Sequence, residues 1–87
     1  MTVIEPADFF LAFAMVHDVP EPLRFFEQAY DTLKIGGKLF FAEPRGHIPR
    51  ESFERELGLA VAAGFKIQSL PQIRWSWAAL LEKGVIQ

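Results

Sequence analysis

The chain has 87 residues, 51% of them hydrophobic and 23% charged, which separates it from disordered tails and low-complexity linkers and allows one small domain at most. It contains no cysteine, so disulfides, thiolate nucleophiles and sulfur-ligated metals are excluded. Nine Lys and Arg are interspersed with eleven Asp and Glu, and the resulting net charge of -2 argues against a nucleic-acid or anionic-lipid surface.

The longest apolar run, Phe9 to Val16, is about eight residues, far short of the ~20 that span a bilayer. The start of the chain has no cationic segment ahead of an apolar one, so no secretory signal is expected and the cytoplasm is the expected location. Neither nucleic acid nor membrane is an expected partner.

Pro and Gly punctuate the chain into elements. Phe9 to Val16 is apolar on both alternating faces and stops at the turn-prone His17-Asp18-Val19-Pro20, which reads as a strand buried on both sides. From Pro20 to Leu33 the spacing becomes helical, with Leu23, Phe26, Ala29, Tyr30 and Leu33 on one stripe and Pro22 in the first turn. Gly36-Gly37 reads as the helix stop, with a glycine in the left-handed conformation of a cap. Lys38 to Glu43 reads as a second buried strand closed by Pro44. After Arg45-Gly46-His47-Ile48, a helix is predicted from Pro49 to Ala63, burying Phe53, Leu57, Ala60 and Val61 and capped by Gly64. Phe65 to Leu70 alternates with period two, as a strand does. Ile73 to Lys83 is ambiguous, because Ile73, Trp75 and Trp77 alternate whereas Ala78 to Glu82 has helix propensity; it is read as a strand.

The order strand, helix, strand, helix, strand, strand predicts an α/β sheet built from two crossover units with both helices on one face. The opposite face then has no cover from this chain. An apolar face beside an unpaired strand edge predicts a homodimer or higher oligomer, or association with a separate N-terminal half.

Four segments in order carry a family resemblance: Ala12 to Pro20, Leu33-Lys34-Ile35-Gly36-Gly37-Lys38-Leu39, Glu43-Pro44 and Ala63-Gly64-Phe65. Together they resemble the C-terminal half of class I S-adenosylmethionine-dependent methyltransferases of the type 11-like kind, over about Asp8 to Lys83. Ile35 stands where that family usually has proline. The resemblance implies a single incomplete methyltransferase-like domain over residues 1–87, a partial Rossmann-like sheet holding the family's fourth to seventh strands, the last antiparallel. It further implies methyl transfer from S-adenosylmethionine to a small-molecule acceptor when the fold is complete. The family's glycine-rich loop and the acidic residue that grip the cofactor have no counterpart here, and Gly36-Gly37 does not replace them because it follows a helix instead of opening one. The alternative is a non-catalytic oligomerisation or complementation module derived from a methyltransferase.

By the same resemblance, His17 is the candidate catalytic base for an acceptor hydroxyl, and Ala14, Met15 and His17 are candidate cofactor contacts. An imidazole near neutrality suits that proton transfer. The competing reading of His17 is a hydrogen bond to a loop carbonyl. Glu43 and His47 follow the second strand and are candidate substrate contacts, although Pro44 and Gly46 also explain that segment as a simple turn, with Arg45 reaching solvent. No metal site is expected, since His17, Asp18, Glu43 and His47 lack tight ligand spacing. The nine phenylalanines are assigned to core packing because no basic residues interleave them.

Overall fold

A computed structural model describes residues 7–13, 16, 19–46 and 48–84. In chain order its elements are β1 (Ala7–Phe13), α1 (Pro22–Thr32), β2 (Leu33–Pro44), α2 (Arg50–Ala62), β3 (Lys66–Ser69) and β4 (Ser76–Glu82). The four strands form one sheet in the order β1-β2-β4-β3. β1 and β2 are parallel, with Phe9 to Phe13 facing Lys38 to Ala42, whereas β4 is antiparallel to both of its neighbours. The ambiguous final segment is therefore a strand, as the family resemblance implies. No described helix is long and apolar enough to cross a membrane.

Both helices pack on one face of the sheet, and the core lies between. Phe26, Ala29 and Leu33 from the first crossover, Phe53 and Ala60 from α2, and Leu39, Phe41, Ala79 and Leu81 from the sheet form one buried cluster. A chain of aromatic contacts runs through it. Phe41 meets the edge of Phe26 at 5.4 Å and Phe53 at 5.0 Å, and Phe53 stacks on Trp77 at 6.4 Å. Such pairs add about 0.5–1.5 kcal/mol each beyond area burial, a large share for a core this small.

The opposite face carries Phe9, Leu11 and Phe13 of β1, all more than half exposed, and no described element packs on it. The expectation that β1 is buried on both sides is thus corrected: Ala12 is buried among helix residues, whereas the alternate positions face outward. At the far end of this face the Lys38 ammonium donates to Gln68 Oε1 at 2.7 Å and Glu82 Oε2 at 2.9 Å, tying β2, β3 and β4 together.

The largest departure from the sequence reading is the end of α1. The helix stops at Thr32, and Leu33 is already extended because its side chain is needed in the core. Gly36 does adopt the left-handed region, with φ of 86°, but inside β2 and not as a helix cap. Ala7 faces Leu33 while Phe9 faces Lys38, so β2 carries surplus residues here, and Gly36 turns within that irregularity. The orphan carbonyls of α1 are met instead from the far end of β4: Lys83 Nζ donates to the oxygens of Tyr30 at 2.8 Å and Leu33 at 2.9 Å. A cation at a helix C-terminus also complements the helix dipole.

Smaller corrections follow from packing. Val61 and Leu23, assigned to buried stripes, are exposed, because each helix turns a narrower face to the sheet than its apolar pattern allows. Val16 falls beyond the end of β1. β3 is a short edge strand with all four residues exposed, and it is Phe65, just before it, that enters the core. Gly64, with φ of 118°, follows α2 as expected, and a Cβ there would lie 2.9 Å from the Tyr30 ring.

Candidate functional site

In open sheets ligands bind outside the carboxyl ends of parallel strands. Here those ends belong to β1 and β2, side by side in the ladder with Phe13 opposite Ala42. Glu43 follows directly in β2 and is fully buried. Its Oε1 accepts the backbone N–H of Val16 at 3.1 Å, so a carboxylate at the end of β2 holds the segment that leaves β1. Val16 is itself buried, and its carbonyl accepts from Val19 N–H at 3.2 Å. These two anchored residues flank His17-Asp18 in the chain. Ala14, Met15, His17 and Asp18 lie outside the described residues, as does His47.

Glu43 is thus the one candidate site residue that is described. A carboxylate oxygen buried against a backbone amide is a brace: it satisfies an N–H that would otherwise be costly to bury. Nothing local in the chain signals this partner, since Val16 and Glu43 are 27 residues apart.

The segment after β2 is fastened to the start of β4. Arg45 N–H donates to Trp75 O at 2.8 Å, Arg45 Nε to Ser76 O at 3.2 Å, and Trp77 Nε1 to Ile48 O at 2.8 Å. Arg45 is exposed, as expected, and its guanidinium also lies 4.4 Å from the centre of the Trp77 ring. Beneath this lattice is a groove of about 270 Å³ whose walls include Arg45, Arg50, Phe53, Leu70, Gln72 and Trp77. Trp75, next in the chain to the groove residue Ser76, is 74% exposed with φ of 67°, a conformation that bulky residues rarely adopt. An exposed aromatic held in such a conformation, at the ligand-binding end of a sheet, is a feature that strand periodicity alone does not reveal.

The candidate cofactor contacts Ala14, Met15 and His17 lie outside the described residues, and the glycines that are described sit elsewhere. Gly36 and Gly37 lie within β2, Gly58 within α2, and a Cβ at Gly46 would meet open space, so no glycine marks a close backbone approach at the end of β1. The only described carboxylate at a parallel strand end, Glu43, is engaged with Val16.

No protein-family model and no curated protein sequence matches the chain. Among solved structures it is similar to a methyltransferase from Pyrococcus furiosus, with a TM-score of 0.72 and 16% sequence identity. The likeness covers 95% of this chain and 44% of that one, so the chain spans less than half of its structural neighbour. At this identity the likeness establishes the fold: a mixed α/β arrangement similar to part of a methyltransferase.

Proposed function

We propose that the chain is the second half of an S-adenosylmethionine-dependent methyltransferase, active on a small-molecule acceptor only when a complementary half supplies the cofactor grip. The observation that carries this reading is the sheet order β1-β2-β4-β3 with β4 antiparallel between two strands, in a chain that superposes on a methyltransferase over 95% of its length. The role of the chain's own residues is to shape the acceptor side. Glu43 fixes Val16, and Val16 fixes the start of the segment bearing His17, whose imidazole takes the proton from an acceptor hydroxyl. Trp75 and the groove beside it lie at the same end of the sheet and offer an aromatic surface to the acceptor.

The test is calorimetric titration with S-adenosylmethionine, on the chain alone and mixed with a polypeptide that carries a glycine-rich first half. The expected result is little or no binding alone, with micromolar binding and methyl transfer in the mixture. Absence of binding in both overturns the reading. A second reading, a non-catalytic association module, is favoured by the exposed Phe9, Leu11 and Phe13, and it predicts no binding of the cofactor in either sample.

A further inference from the structure

The two edges of the sheet are built differently. β3 has four residues, a register shift between Ile67 and Ser69, Lys66 at its start and Pro71 just beyond its end, all devices that discourage another strand from pairing. β1 has seven residues, and from Phe9 to Phe13 it contains no charge, no proline and no shift in register against β2. Among the described residues no strand pairs with its outer edge. One edge is guarded and the other is not.

The outward side chains of β1 read Phe9, Leu11, Phe13, which is the same in both directions about Leu11. We infer that β1 pairs antiparallel with β1 of a second copy, about a two-fold axis at Leu11. In that register Leu11 faces the partner's Leu11, Phe9 faces the partner's Phe13, and on the helix side Phe10 faces the partner's Ala12, large beside small. These three outward side chains are 55%, 60% and 58% exposed, and the pairing sets them beside the partner's in one continuous apolar row across the joined sheet. Because the β3 edge is guarded, the pairing closes at two copies and does not propagate into a fibre. A second copy and the complementary half of the methyltransferase reading would compete for this edge, so the inference concerns the chain by itself, and its readout involves no cofactor.

Sedimentation velocity across roughly 1–300 μM is the test. The expected result is a reversible dimer of twice the 9.9 kDa chain mass, its fraction rising with concentration. Leu11→Lys and Leu11→Glu each place like charges against each other at the axis, so each alone is expected to be monomeric with an unchanged far-UV circular dichroism spectrum, and an equimolar mixture is expected to dimerise again. A wild type that stays monomeric throughout, or a Leu11→Lys chain that still dimerises, overturns the proposal. Should either charged variant fail to fold, Leu11→Cys answers instead, because the chain has no other cysteine. Mild oxidation is expected to trap a covalent dimer, with Ile67→Cys on the guarded edge remaining monomeric; equal trapping at both positions overturns the register.

Discussion

The ammonium group of Lys83 donates to the backbone oxygen of Tyr30 at 2.8 Å and lies 4.5 Å from the centre of the same residue's ring. One side chain from beyond β4 therefore closes the end of α1 and covers the aromatic residue that packs at 5.3 Å on Phe65. Replacing Lys83 by Met keeps much of the stem but removes the donor from two carbonyls. The expected loss is about 1–2 kcal/mol in urea denaturation, discounted from the full value of a charged hydrogen bond because the contact is only part-buried. An unchanged midpoint would show that water satisfies those carbonyls equally well.

Gly36 and Gly64 both have positive φ, but their surroundings differ. A Cβ at Gly36 meets nothing within 4 Å, whereas at Gly64 it meets Tyr30, whose ring is held between Phe65 and Lys83. Gly36→Ala is expected to cost about 1–2 kcal/mol from the left-handed backbone alone. Gly64→Ala is expected to cost measurably more, and thermal denaturation giving the reverse order would refute the packing assigned to Tyr30.

Glu43→Ala leaves the buried Val16 amide without its acceptor and is expected to destabilise the chain by about 1–3 kcal/mol, with faster hydrogen exchange at Val16. Glu43→Gln retains an acceptor oxygen and is expected to recover most of that loss. In the reconstituted enzyme, His17→Ala is expected to lower turnover by about 10²–10⁴, the range for removing a general base. A rate equal to wild type would confine His17 to a structural role.

Trp75 predicts the opposite sign. At φ of 67° a bulky residue is strained, and its side chain is mostly exposed, so Trp75→Gly should leave stability unchanged or raise it by up to about 1 kcal/mol. A drop of more than 1 kcal/mol in chemical denaturation would mean that the indole packs more tightly than its exposure indicates.

The order of elements was legible because Pro20, Pro22, Pro49 and the glycines punctuate the chain, although the spacing from Ile73 to Lys83 alone left strand and helix open. What stayed hidden depended on partners distant in sequence. Gly36-Gly37 looked like a helix stop because local conformation carries no trace of Lys83, and the bond from Val16 to Glu43 was hidden because nothing near Glu43 in the chain names Val16. Alternation in β1 marked two apolar faces but did not say which one the helices would cover. Trp75 was visible as a residue but not as a left-handed one, since that conformation is imposed by the turn into β4.

β4 sits between β2 and β3 although it is synthesised after both. At a ribosomal rate of ~5–20 residues per second, the inner edge of β2 waits seconds for about 40 residues to be added before its partner exists. During that interval β3 has no strand to join, since its only ladder is with β4. Nascent chains halted before Ser76 should consequently remain protease-sensitive throughout residues 66–69 and offer β2 to chaperones, while those extended past Glu82 should become protected in a single step.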